Sequence, residues 1–327
     1  MQAMSDPAQP TTAMVFSGGL GLAAYHAGAY ETFAERGGVL HWVSGSSAGA
    51  ITAALIAGNR VDHRIARLRD FWNHPPLDRA NRDPWNHLNG WIGAIGTRLL
   101  GSAGHFYPRL PSLDPFRFRS FYDLAPMRER LAKLIDFGLL NGGSMRVCVA
   151  TTDVETGEPV IFDSIREKLE MDHLLASCGF LPEFAAVELG GRLLGDGGLS
   201  MNAPFDPMLE EDVQGDMILY VIDLYARDGP CPASLEASLE RKNDLLFGNQ
   251  TLLRLKYLVE ARQLRGQLAG RAPEAWKDRV VLLSYRPGAE EPGPEKSFDL
   301  SATALAQRWK AGGSTWRRQQ ERSMRVR

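Results

Sequence analysis

The chain has 327 residues, 44% of them hydrophobic, which is ample for a sizeable core and suits one large α/β domain or two small ones. A formal net charge of −2 gives no basis for general nucleic-acid binding. Cys148, Cys178 and Cys231 are scattered, odd in number and without C-x-x-C spacing, so they read as small apolar residues in a reducing compartment rather than a disulfide framework.

Residues 1–12 lack the basic and apolar regions of a secretory signal and read as a disordered N-terminus. No apolar run reaches membrane-spanning length. The chain is therefore expected to be soluble and cytoplasmic, with any membrane contact peripheral. Ala13–Phe16 predicts a first strand. It runs into Ser17-Gly18-Gly19-Leu20-Gly21, and a helix follows from about Leu22 to Glu35, closed by Gly37-Gly38. Val39–Val43 predicts a second buried strand. Gly45-Ser46-Ser47-Ala48-Gly49 comes next, then a helix to Ala57 with Gly58-Asn59 as its cap. Strand, G-x-S-x-G and helix in that order is the setting of a nucleophile elbow. Gly45 and Gly49 leave room where the two backbones nearly touch, and Ser47 stands at the positive end of the helix.

Val61–Trp72 continues as helix. His74–Ser120 is long, irregular and rich in Pro, Gly and aromatics, including Trp85, Trp91, Phe106 and Phe116. It predicts a cap or lid insertion, with a short apolar helix near Trp91–Ile95 and Leu99-Leu100. Pro126–Phe137 is amphipathic. Met145–Thr151 and Val160–Phe162 read as paired strands, Asp172–Cys178 as a helix, and Phe184–Leu189 with Arg192–Leu194 as a hairpin about Gly190-Gly191. Asp196-Gly197-Gly198 follows directly. Met217–Leu224 predicts a central strand, Ser234–Leu268 a mostly helical stretch, Arg279–Tyr285 a last strand and Leu300–Lys310 a last helix. The hydrolase domain is expected over 13–310, with the cap at 74–120 and a basic tail at 311–327 that could meet an anionic membrane through its arginines and Trp316.

A nucleophilic serine needs a base and an oxyanion hole. The seven histidines all lie at or before His173, which makes a Ser-Asp-His order awkward. None has metal-ligand spacing, so no metal or other cofactor is expected, calcium included. Asp196, at a strand end before two glycines, is the alternative base. An ordinary carboxyl, with a pKa near ~4, is a poor proton acceptor, and burial improves it. The glycine turn at Gly18–Gly21 offers successive N–H groups for an anion. Gly19-Leu20-Gly21-Leu22-Ala23-Ala24 also fits a dinucleotide fingerprint, but the second strand ends in Ser44–Ser47 where that motif wants an acid for the ribose.

Taken together, these features resemble the patatin-like phospholipase family. The resemblance spans about Ala13 to Leu209. It rests on Ser17-Gly18-Gly19 with Ala24-Tyr25-His26-Ala27-Gly28, on Gly45–Gly49, on Ala176-Ser177-Cys178-Gly179-Phe180-Leu181-Pro182, and on Asp196–Pro204. It implies a three-layer α/β/α fold with a mainly parallel sheet, and a lipid acyl hydrolase acting through a Ser-Asp dyad. Ser47 would be the nucleophile and Asp196 the base. Gly18, Gly19 and the N–H of Leu20 would form the oxyanion hole, with Gly45, Gly49, Gly197 and Gly198 supporting the turns. The implied partner is a lipid or fatty-acyl ester. Leu20 and Leu22 stand where the family usually has a third glycine and then an Arg or Lys. That removes a fixed cation and points to a less charged ester. Two other readings stay open: a catalytically silent lipid-binding scaffold and a dinucleotide-dependent oxidoreductase.

Overall fold

A computed structural model describes residues 10–72, 96–102, 104–109, 119–210, 216–270, 278–286 and 296–325. The first turn of chain builds the centre of the fold. Strand β1 (Thr11–Phe16) leads through a 3-10 turn (Leu20–Ala23) into α1 (Ala24–Glu35), and β2 (Trp42–Ser46) leads through Ser47 into α2 (Ala48–Ala57). Helix α3 (Arg64–Trp72), the described part of α4 (96–100), and the short antiparallel pair β3 (Tyr107–Pro108) and β4 (Tyr122–Asp123) follow. Then come α5 (Ala125–Leu134), α6 (Phe137–Leu140), β5 (Arg146–Asp153), β6 (Pro159–Asp163), α7 (Met171–Ser177), β7 (Val187–Leu189) and β8 (Arg192–Asp196). The chain closes with α8 (Asp206–Glu210), β9 (Met217–Asp223), α9 (Leu235–Leu268), β10 (Arg279–Ser284) and α10 (Ala302–Arg325).

The main sheet runs β10-β9-β1-β2-β5-β8-β7, with β6 also on β5. Its β10-to-β5 half is parallel, and β6, β7 and β8 are antiparallel to their neighbours. Alternate residues of β1 serve opposite faces. Met14 and Phe16 join α1, α2, α5 and α10 in one core, and Ala13 and Val15 join Phe205, Met208, Leu255 and Leu258 in the other. Helices thus cover both faces of the sheet, giving the expected three-layer α/β/α architecture.

One detail of register places the site. β2 pairs with β5 up to Ser46↔Ala150, and β8 pairs with β5 from Thr151↔Asp196 onward. β6 pairs with Cys148–Thr152 and so occupies the other edge of β5. β2 and β8 therefore share one edge, parallel and antiparallel to β5, with their carboxyl ends meeting head to head. Ser46 and Asp196 come to adjacent positions along β5.

Several predicted elements shift. β2 begins later than expected and takes in Ser44–Ser46, while Val39 is 65% exposed. The hairpin turn is as read, with Gly190 and Gly191 at φ +58° and +75°. Within the expected cap, Trp85, Trp91, Phe116 and the Trp91–Ile95 helix lie outside the described residues. Phe106 packs with Tyr122, Phe184 and Phe298 in a small buried cluster beside Leu20.

The larger correction concerns the C-terminus. Residues 311–325 do not form a tail separate from the domain: α10 runs through them, and Trp309 and Trp316 are buried against α1 and β9 rather than offered to a membrane. Arg308, fully buried, donates to the carbonyls of Lys296 and Asp299 and so fixes the turn that precedes α10. The α1–α10 crossing is made by glycines. A Cβ on Gly28 would stand 1.8 Å from the Trp309 carbonyl oxygen, and one on Gly312 2.1 Å from that of Tyr25. Gly28→Ala is expected to lower stability by about 3 kcal/mol in denaturant unfolding, because two backbones must separate. Gly96→Ala, where a Cβ meets nothing within 4 Å, is the control expected to unfold at the wild-type midpoint or later.

Candidate active site

Ser47 sits between β2 and α2 at φ +55°, ψ −127°. This is a left-handed conformation costing of order 1–3 kcal/mol in a non-glycine residue. Three features hold it there. A Cβ on Gly45 would lie 2.2 Å from the Gly49 carbonyl carbon, and one on Gly49 2.1 Å from the Phe16 carbonyl oxygen, so only glycine permits the tight pass. The Ser47 N–H donates to Ser177 Oγ at 2.9 Å, and Ser177 Oγ donates to the Ala150 carbonyl at 2.6 Å. Ser177 thereby ties the elbow to β5.

Asp196 ends β8 almost wholly buried; its carboxylate accepts from the Gly198 N–H at 2.7 Å and has the Ser47 side chain as a neighbour on the same cavity wall. Burial pushes its pKa up to about 7, against the lowering influence of the Ser47 hydroxyl and the Gly198 N–H. The head-to-head meeting of β2 and β8 makes the two residues neighbours. Gly197 makes it possible, since a Cβ there would lie 2.5 Å from the Ala150 carbonyl oxygen and 2.6 Å from Ser46 Oγ. Cys178 lies beside the pair; its thiol is pushed up by burial and by the Asp196 charge, so it stays protonated.

The glycine turn is placed beside Ser47, with one change from expectation. The Gly18 N–H is engaged at 3.1 Å by both the main-chain carbonyl and the Oδ1 of Asn202. Among the described residues the Gly19 and Leu20 N–H groups have no hydrogen-bond partner. Leu20 holds φ +47°, where the glycine it replaces would be unstrained, and its side chain packs on the Phe106–Phe298 cluster. The third glycine of the turn, Gly21, is covered by the chain itself: a Cβ there would meet Leu300 at 2.7 Å and the Ser297 carbonyl at 3.0 Å. At Gly21 the turn is thus closed to a ligand, and its Gly18–Leu20 side is what faces the cavity.

Ser47, Asp196, Gly18, Gly19, Leu20 and Gly198 all line one cavity of about 440 Å³. Its wall is otherwise largely apolar, with Ile51, Met127, Phe180, Phe184 and Phe247 among its side chains. Arg98, stacked 4.5 Å above the Phe298 ring, and Lys242 also line it. Two cationic side chains thus stand on the cavity wall, neither of them from the glycine turn. No histidine lines the cavity among the described residues; His26 is buried beside Phe16 and desolvation lowers its pKa to about 3, so it is neutral. His74 and His87 lie outside the described residues. No group of three metal-ligating side chains comes together among those described.

Ser177, Asn202, Cys178, Arg98 and Lys242 are the cavity-side residues that sequence reasoning gave no role. For Ser177 and Asn202 the only signal was their place in the stretches 176–182 and 196–204.

The patatin-like phospholipase family's sequence model matches residues 14–209. No curated protein matches. Among solved structures, VipD from Legionella pneumophila is 13% identical with TM-score 0.44, over 96% of this chain and 67% of its own. Human GIVD cytosolic phospholipase A2, solved with methyl gamma-linolenyl fluorophosphonate, is 11% identical with TM-score 0.43, over 97% of this chain and 58% of its own. ExoU from Pseudomonas aeruginosa, in complex with SpcU, is 18% identical with TM-score 0.34, over 79% and 53%. The chain thus spans between about half and two thirds of the length of these proteins.

Proposed function

The chain belongs to the patatin-like phospholipase family, and from that premise we propose that it is a serine acyl hydrolase that cleaves fatty-acyl esters of lipids through Ser47 and Asp196. The observation that carries this is that the joined ends of β2 and β8 bring Ser47 and a buried carboxylate, Asp196, together on the wall of one apolar cavity. Asp196 takes the hydroxyl proton as Ser47 Oγ bonds to the acyl carbonyl carbon. The negative charge that develops on the carbonyl oxygen is met by the N–H groups of Gly19 and Leu20, with the N-terminus of α2 adding its partial positive charge. Asn202, by occupying Gly18, holds the turn that presents them. The tetrahedral species collapses, the C–O bond to the alcohol breaks, and Asp196 returns the proton to the leaving oxygen. Water, deprotonated by the same carboxylate, then splits the acyl-enzyme to the free fatty acid.

The apolar wall suits the acyl chain. Arg98 and Lys242 suit an anionic or zwitterionic head, so phospholipid is the favoured substrate over neutral ester.

A fluorophosphonate reacts with an activated serine and an inert one is passed over, so covalent labelling at Ser47, with hydrolysis of a phospholipid panel, is the test. A chain that retains lipid but takes no label would be a silent binder. The pH profile carries the second check. The base must be ionised, so kcat/KM is expected to rise with unit slope to a midpoint near 7 and then level, following the raised pKa of Asp196. A rising limb centred near 4 would mean that the working carboxylate is not a desolvated one.

A further inference from the structure

The 34-residue helix α9 covers the second face of the sheet with Thr251, Leu255, Leu258 and Arg262 buried beneath it. Its outward face is largely apolar. Leu235, Leu239, Leu246, Leu253, Tyr257, Leu264 and Leu268 are all exposed, the four from Leu246 to Leu264 by 59–68%. At 3.6 residues per turn these seven fall within an arc of about 60°, opposite the buried side, along a helix about 50 Å long. A soluble helix ordinarily puts its charges on that face. The helix is not a membrane span: none among the described residues is long and apolar enough.

We infer that this leucine ridge is a docking surface for the lipid–water interface of a bilayer, on which the helix lies flat. The inference rests on the hydrolase reading for what the neighbouring cavity holds. Two observations choose the occupant. First, the ridge is continuous with the cavity: Leu239, Lys242 and Leu246 belong to its N-terminal end and line the Ser47 cavity as well. A helix seated in the headgroup region therefore brings that cavity to the layer where an ester sits. Second, the exposed ammonium group of Lys242 stands in the ridge at its cavity end and that of Lys256 on its flank, which suit anionic lipid, with Glu260 as the acidic neighbour. A second copy of the chain fits less well. A helix–helix seam needs two apolar residues per heptad, and charged Lys242 and Glu260 interrupt that pattern here.

The test uses Leu253→Asp/Leu264→Asp, two ridge positions that do not line the cavity. Wild type and variant are pelleted with phosphatidylcholine vesicles containing phosphatidylglycerol, run by sedimentation velocity without lipid, and assayed on dissolved p-nitrophenyl butyrate. The expected result is that wild type pellets, that the variant partitions at least tenfold more weakly, and that both are monomers with butyrate turnover within twofold. Equal pelleting of the two chains overturns the inference, as does failure of the wild type to pellet. A wild-type dimer that the variant dissociates assigns the ridge to a second copy and overturns it too. If vesicle binding is lost in the variant while neither chain turns over the butyrate, the ridge stands and the hydrolase reading falls.

Discussion

Asp196→Asn is expected to cost about 10³- to 10⁴-fold in kcat/KM, and to make the protein more stable above neutral pH. Asparagine keeps the shape and an acceptor oxygen for the Gly198 N–H but cannot take the Ser47 proton. The stability effect follows from linkage. The folded carboxyl has its pKa raised to about 7, mainly by burial, while the unfolded one titrates near 3.8. Its contribution is therefore fully present below about pH 4 and is lost as the pH rises through 7, because the folded state must then hold a desolvated charge. Asparagine carries no such charge. The variant's stability relative to wild type should increase by about 2–4 kcal/mol between pH 4 and 8, read by urea unfolding at each pH. Asp223, likewise buried with its pKa raised to about 7, is common to both proteins and cancels. Ser47→Ala should lose ~10⁴-fold or more in activity. An Asp196→Asn variant with wild-type turnover would remove the carboxylate from the chemistry.

The second large effect is expected at Gly49. Alanine there would place a methyl 2.1 Å from the Phe16 carbonyl oxygen and 2.7 Å from that of Ser17. Both are backbone atoms at the end of β1, and neither can rotate away. The strand end and α2 must move apart, at a cost of about 3 kcal/mol or more. The glycine turn that follows Ser17 moves with the strand. Fluorophosphonate labelling should fall even in the fraction that stays folded, so the measurement is labelling rate alongside the unfolding midpoint. A variant that is both stable and labelled at the wild-type rate would show that the elbow has slack.

How much of this was legible in the sequence depends on how local each signal is. β1, β5, β9, β10 and α2 carry their own apolar runs, and the Gly190-Gly191 turn carries its own backbone preference. β2 was read three residues early because Ser44, Gly45 and Ser46 have weak strand propensity; their smallness serves the approach of α2, and packing overrode propensity. The end of α10 was misplaced for a similar reason. Gly312 and Gly313 have low helix propensity, yet they are where α1 and α10 touch. Ser177 and Asn202 had no local signal at all. Their partners lie 130 and 184 residues away in the chain, and a lone polar residue in a helix end or turn does not announce such a contact. The cavity cations were missed likewise, since Arg98 and Lys242 come from separate segments.

The head-to-head ends of β2 and β8 have a consequence for the protein while it is being made. The nucleophile and the strand that receives it emerge from the ribosome well before residue 196 does. On the hydrolase reading, every nascent species in which β8 has yet to dock carries a serine without its proton acceptor, and ester cleavage is withheld until the sheet is closed.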